Sequence, residues 1–362
     1  MIPHLSLTIL LMILETGLAI DFSKLKLNAP TTESREQMNA GRAEKVAKWE
    51  EAIANITADI EELEALKDTG FPTLITAAVT DNPNTEGSSS AQEGKIFTGK
   101  PEEFSGRSYA GYLRDREGDD VSGLCASRVH PGILYYVNDR SSYESYVHVI
   151  DIRNHGQRIS KIHLQKENVD WEDMACGPCS LGSEEYCIHV LDAGSSGPGP
   201  VHKIYSFKEP EDISTDQDAE GVVTTSFSST TSNCETLMVS PTGRIFIMDS
   251  VSSSYVLYEV IGDETKYLFE VSLWSSSKGP KSGDISPDGK GFVFKMLDRI
   301  YYFYVEDESE METILTSSTN RMKVPYLEED YATSISWSLS GESFLTVSEG
   351  INEIIYEYKR VN

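Results

Sequence analysis

The chain reads as an all-β protein, a β-propeller of five four-stranded blades preceded by an N-terminal helix. Three observations lead there. Five short strands share one opening and centre on Leu124, Met174, Leu237, Ile285 and Ile335, spaced 50, 63, 48 and 50 residues apart. That is a blade period. Each opening is followed by a turn, a second strand and a third strand in the same order. From residue 107 onward, apolar alternation is broken by Gly, Pro, Asn, Asp and Ser at all-β spacing, with no convincing helix.

The openings are Ser122-Gly123-Leu124, Glu172-Asp173-Met174, Glu235-Thr236-Leu237, Gly283-Asp284-Ile285 and Thr333-Ser334-Ile335. The first-to-second-strand turns carry His130-Pro131-Gly132, Pro178 to Ser183, Pro241-Thr242-Gly243, Pro287-Asp288-Gly289 and Ser340-Gly341. Fourth strands follow at Arg158 to Leu164, Val222 to Phe227, Lys266 to Val271 and Met322 to Tyr326. The fifth unit ends at Asn362 without one, so Arg107 to Leu113 is expected to supply it and close the ring. Six blades is the alternative count, should the linker or the acidic insertion at 209 to 220 hold further strands. A pair of sandwiches and a large jelly roll are the competing all-β folds, and neither accounts for the repeated openings.

Before the propeller, residues 1–19 have the pattern of a secretory signal peptide. The apolar run Leu5 to Leu14 is too short to span a bilayer, and Gly17-Leu18-Ala19 offers small residues for cleavage. The mature chain is therefore expected to be secreted and extracellular, with no membrane span. Residues 33–68 form an amphipathic, coiled-coil-like helix with Val46, Trp49, Ile53, Ile56, Ile60 and Leu63 on its seam. The seam either makes a homo-oligomer or docks on the domain that follows. Asn55 heads the single glycosylation sequon, Asn55-Ile56-Thr57, and falls on the outer face of that helix. Residues 69–106, centred on Gly87-Ser88-Ser89-Ser90, read as a Gly/Ser-rich linker.

Acids outnumber bases 58 to 31, a net charge of −27. Such a surface repels phosphate backbones, so nucleic acid is excluded as a partner. It suits cations, basic proteins or a mineral surface. The five cysteines are expected to pair in an oxidising compartment. Cys179 with Cys187 would clip the hairpin between the first two strands of blade two, and Cys176 would reach Cys125 on the neighbouring inner strand, leaving Cys234 over. A zinc site at Cys176, Cys179, Cys187 and His189 is the weaker alternative.

Asn168-Val169-Asp170-Trp171-Glu172-Asp173-Met174-Ala175 resembles the blade motif of a family of secreted β-propellers found in bacteria and invertebrates. Ser122-Gly123-Leu124, Pro131 to Leu134 followed by Asn138-Asp139, Gly283 to Gly289 and Ser348-Glu349-Gly350 resemble it too. The resemblance covers about residues 115 to 358. It implies the fold and secretion, and a loose similarity to propellers that include lactonases and calcium-bound hydrolases. One departure is Thr333, where the family tends to have an acid.

Function is expected at the mouth, where the openings and the loops after the second strands meet. Those loops bring Asn138, Asp139, Asp192, Asp249, Asp298 and Glu349. Crowded carboxylates need counter-charge, and Ca²⁺ accepts six to eight oxygens, so Glu172, Glu235 and Asp284 are the candidate Ca²⁺ ligands. The competing reading has these acids capping turns or pairing with Arg128, Arg140, Lys295 and Arg299. Trp171 is expected to pack between blades. No catalytic set emerges from the scattered His130, His148, His163, His189 and His202. The acidic runs 209 to 220 and 306 to 312 read as solvated loops on the face opposite the mouth. The function expected from all this is a secreted interaction or matrix protein, in contact with extracellular matrix or mineral, with weak Ca²⁺ binding. The alternative is a Ca²⁺-dependent hydrolase using two mouth carboxylates as acid and base.

Overall fold

The computed structural model describes residues 97–361, apart from 115–117, 140–144, 194–200, 229–233, 252–253, 274–278, 330 and 351. The signal segment, the coiled-coil helix, Asn55 and Arg140 lie outside the described residues.

Two strands precede the first blade, β1 (Glu103–Phe104) and β2 (Ser108–Tyr112). Blade one is β3 (Val121–Ala126), β4 (Ile133–Asn138), β5 (Tyr146–Asp151) and β6 (Gln157–His163). Blade two is β7 (Trp171–Pro178), β8 (Tyr186–Asp192) and β9 (Val201–Lys208), then, past a short β10 (Gln217–Asp218), β11 (Val223–Ser228). Blade three is β12 (Cys234–Val239), β13 (Ile245–Val251), β14 (Ser254–Ile261) and β15 (Glu264–Val271). Blade four is β16 (Ser282–Ile285), β17 (Gly291–Lys295), β18 (Ile300–Tyr304) and β19 (Arg321–Lys323). Blade five is β20 (Ala332–Trp337), β21 (Ser343–Ser348) and β22 (Ile354–Val361), completed on its outer edge by β1 and β2.

The inner strands β3, β7, β12, β16 and β20 touch in that cyclic order, and β20 returns to β3. The ring is closed, and it has five blades. Five apolar clusters fill the five gaps between blades. The middle strands explain how. On β4, Leu134 and Tyr136 face blade five, whereas Ile133, Tyr135 and Val137 face blade two. Period-two alternation thus serves two cores at once, so the strand is buried on both faces and reads as a continuous apolar run.

Local sequence sets the turns. In all five blades the turn between the first two strands carries a glycine at positive φ, namely Gly132, Gly182, Gly243, Gly289 and Gly341. Only glycine takes that conformation without a Cβ penalty. Gly123 serves a different need. A Cβ there would lie 2.6 Å from the Met174 nitrogen, so its absence lets β3 and β7 approach. At that approach Cys125 bonds to Cys176 across the blades, while Cys179 bonds to Cys187 within the β7–β8 hairpin. Cys234 is free and buried. The inter-blade disulfide closes the longer loop, 51 residues against 8. Replacing Cys125 and Cys176 by alanine is expected to cost about 4 kcal/mol, against about 2.5 kcal/mol for the hairpin pair, measured by urea unfolding.

Three local readings change. The insertion at 209 to 220 is no free loop. Glu209 is buried and accepts from the Ser127 hydroxyl, from the Tyr135 hydroxyl at 3.0 Å and from the Arg128 nitrogen at 3.1 Å. Beyond it, β10 pairs in parallel with β6 and adds a fifth strand to blade one. Among 306 to 312, Met311 begins a short helix, Met311–Leu315, that buries Met311 and Leu315 one turn apart. Glu306 and Glu308 pair with Lys290 and Arg244. The acids obscured both features because anchoring contacts need only one or two residues per segment. Finally, 97–106, read as the linker's end, packs on blade five. Phe104 is buried among Tyr302, Trp337 and Phe344, and the Arg360 guanidinium lies over the Phe97 ring.

Candidate functional site

Four of the five opening residues share one backbone feature. Ser122, Glu172, Glu235 and Thr333 are each the extra residue of a β-bulge between an inner strand and its partner. A bulge strengthens twist and re-aims one side chain out of the pleat. Gly283 is the exception, paired in register with Phe294.

The bulged residues then divide by chemistry. The Ser122 hydroxyl donates to the Trp171 carbonyl and the Thr333 hydroxyl to the Val121 carbonyl at 2.5 Å, so both link neighbouring blades. The Glu235 charge acts on Glu172 and helps hold the proton there. Glu235 is bound by the Lys281 ammonium. Burial first, then Glu235 and Asp170, push the Glu172 carboxyl up to about 8, with Lys281 opposing. Burial, helped by Asp192 and Glu235, also raises Asp170.

Asp173 and Asp284, one residue beyond the bulge position, do something else. Asp173 is fully buried and accepts from the Met174 nitrogen at 2.9 Å, the Leu237 nitrogen at 2.9 Å and the Ser282 hydroxyl at 3.0 Å. It therefore joins blade two to blades three and four. Asp284 accepts from the Ile285 and Trp337 nitrogens, both at 2.8 Å, and from the Ser336 hydroxyl at 3.3 Å, joining blade four to blade five. Burial raises both carboxyls despite these donors. Thus Glu172 and Glu235 come together, whereas Asp284 belongs to the inter-blade ties with Arg128 3.9 Å away. Among the described residues, no group of three or more His, Cys, Asp or Glu side chains is arranged to hold a metal.

The loop acids are also engaged. Asp192 accepts from the Asp170 nitrogen at 3.0 Å and the Tyr205 hydroxyl at 3.2 Å. Asp298 pairs with Arg299 at 2.5 Å. Asn138 is buried and its carbonyl accepts from Asn168, the Asp139 nitrogen donates to the Asp120 carbonyl, and the Glu349 nitrogen donates to the Tyr331 carbonyl. Asp249 lies opposite Cys234 in the β12–β13 pair, and its charge, after burial, raises that thiol. Trp171 is buried, tilted against Tyr205 at 6.2 Å. His148, His189 and His202 are buried in strands, and burial lowers His189 to about 4, while His130 and His163 are partly exposed.

Two polar groups at this end of blades four and five carry no motif. Lys295 is fully buried, held by the Tyr326 hydroxyl at 2.7 Å and the Met296 carbonyl at 3.3 Å, and burial lowers it to about 8. The charge acting most strongly on it is Glu329, itself buried, which accepts from Thr346 at 2.9 Å, Tyr358 at 3.4 Å and Ser348 at 3.5 Å. Glu329 sits in a Glu-Glu-Asp run with the look of any acidic loop, and Lys281 had no signal beyond its charge.

The Glu172 shift has a pH consequence. Its ordinary value is 4.5 and its folded value about 8. Between them the folded state holds a proton that the unfolded state has released, so stability falls as pH rises through that window. Glu172→Gln is expected to remove this slope. Discounted for solvent screening of a half-buried group, the variant gains roughly 2 kcal/mol on the parent between pH 5 and pH 8. Urea melts at the two pH values measure it.

Neither a family model nor a curated protein matches the sequence. Among solved structures, the chain is similar to one described as the Dos1 propeller, at 11% identity and a TM-score of 0.36, covering 69% of this chain and 81% of that one. Two disulfides suit an oxidising compartment, and among the described residues no helix is long and apolar enough to cross a membrane. The chain is a five-bladed β-propeller with one disulfide between blades and one within a blade.

Proposed function

We propose that the protein is a secreted interaction or matrix component, meeting extracellular matrix or mineral, with weak Ca²⁺ binding at the mouth through Glu172 and Glu235. The observation that carries the non-enzymatic part of this reading is that most acids around the mouth and channel are already engaged. Asp173, Asp284 and Asp192 accept from protein donors, and Glu235 holds Lys281. A hydrolase needs carboxylates free to exchange protons with substrate. The net charge of −27 adds long-range attraction for cationic partners. The resemblance to secreted propellers agrees, and the apolar seam read in the sequence at 33–68 would serve either a homo-oligomer or docking on the propeller. Calorimetry of the mature protein is expected to show Ca²⁺ binding with Kd of about 0.1–1 mM, as in extracellular modules, and none in a Glu172→Gln/Glu235→Gln variant. No Ca²⁺ binding, with no retention on calcium carbonate or matrix extracts, would overturn the reading.

A second reading, a Ca²⁺-dependent hydrolase, has one observation in its favour. A Glu172 held at about 8 carries its proton at neutral pH and can act as a general acid. A panel of esters, lactones and glycosides tests it. Turnover lost in Glu172→Gln supports it, and turnover unchanged in that variant removes it.

A further inference from the structure

Arg128 lies in the turn after β3, on the face away from the mouth, yet its side chain turns inward. Its Nε donates to the Cys176 carbonyl on the inner strand of blade two at 2.9 Å. Its Nη2 stands 3.9 Å from Oδ2 of Asp284 on the inner strand of blade four, with the two side chains only 8% and 6% exposed. A residue of blade one thus reaches blades two and four, which are not neighbours, and so crosses the axis of the ring.

What it meets there is a hard-oxygen environment. Asp284 has the Ser336 hydroxyl against it, and Asp173, with the Ser282 hydroxyl, is near enough to feel the Asp284 charge. Two carboxylates with hydroxyls are oxygens that a divalent cation accepts. Here a positive charge is already present on the chain, and it opposes the rise that burial forces on Asp284. Glu209 fixes the base of the device. It accepts from the Arg128 nitrogen and the Ser127 hydroxyl, so the buried first residue of the acidic insertion locks the turn that carries the guanidinium.

We propose that Arg128 is a built-in counter-ion, taking the place of a divalent cation at the floor of the channel and closing Asp284 to Ca²⁺. A guanidinium stays charged at all ordinary pH values and cannot dissociate from the chain. The ring therefore keeps its central charge balanced without depending on extracellular calcium. The idea is independent of the mouth: it concerns Asp284, not Glu172 and Glu235.

The test uses the mature Glu172→Gln/Glu235→Gln protein, so that Ca²⁺ binding at the mouth cannot contribute. Thermal unfolding is followed in EDTA and in millimolar Ca²⁺ for Arg128, Arg128→Lys and Arg128→Met. With Arg128, the expected result is no Ca²⁺-dependent change. Arg128→Lys keeps the charge and is expected to be insensitive as well. Arg128→Met is expected to lose several degrees in EDTA and to recover at least half of that loss in Ca²⁺. If it does not fold in EDTA, refolding into soluble protein only with Ca²⁺ is the equivalent result. The proposal is overturned if Arg128→Met is equally unstable, or equally unfolded, with and without Ca²⁺. It is also overturned if the protein with Arg128 intact shows the same Ca²⁺ stabilisation as Arg128→Met.

Discussion

Asp173→Ala is expected to destabilise the propeller by about 5 kcal/mol, because it strands three buried donors at once and each costs about 1–3 kcal/mol. The donors are the Met174 and Leu237 nitrogens and the Ser282 hydroxyl. They belong to three blades, so the loss falls on the joints of the ring and not on one sheet. The variant should unfold at markedly lower urea concentration. Asp173→Asn separates the roles of shape and charge. An amide keeps one acceptor oxygen and copies the protonated acid, the form favoured by burial. It should therefore retain more than half of the lost stability. Equal loss in both variants would mean that the charge itself, and not the acceptor geometry, holds the blades.

Glu329→Ala should cost about 4 kcal/mol, within the range for breaking a buried charge pair, and lower the melting temperature by roughly 10 °C. The alanine leaves Lys295 buried without the charge that most favours its ammonium, and leaves the Thr346, Ser348 and Tyr358 hydroxyls without their acceptor. The loss should be smaller above pH 8. The Lys295 amine, already lowered to about 8, then sheds its proton and no longer needs a partner. Glu329→Leu combined with Lys295→Met should be far milder than Glu329→Ala, since exchanging both members of a buried pair for apolar groups is often neutral. Melts of the three proteins at pH 6 and pH 9 decide the matter. A double variant as unstable as Glu329→Ala would show that the hydroxyl network, and not the charge pair, carries the effect.

The architecture was readable because a propeller writes itself into sequence repeatedly. Five aliphatic centres, five turn glycines and a missing fourth strand in the last unit are local, periodic signals. They report period-two burial and positive φ, which depend on neighbours in the chain. Even the closing strand followed from an absence, and Ser108–Tyr112 pairs with Ile354 to Glu357 as expected. The disulfide partners were readable for a related reason, since inner strands one blade apart place Cys125 beside Cys176.

The site was less readable. Glu172, Asp173, Glu235 and Asp284 look alike in sequence, all acids within a residue of an opening. What separates them is strand register. Glu172 and Glu235 are each the extra residue of a bulge, while Asp173 and Asp284 remain on the ladder and meet the next blade's backbone. Whether a strand bulges depends on its partner's register, which is a tertiary property. Arg128 and Glu329 lie outside any motif, and their partners are 156 and 34 residues distant in Asp284 and Lys295.

By itself, then, the sequence determined the propeller repeat with five blades favoured over six, the turn positions, the closing strand and the acidity of the chain, because each arises from short-range pattern or from composition. Only the tertiary structure decided which acids tie blades together, which face the mouth, and where a lysine or an arginine supplies the counter-charge. Those outcomes depend on distance and desolvation between blades, and neither quantity is encoded at any single position of the chain.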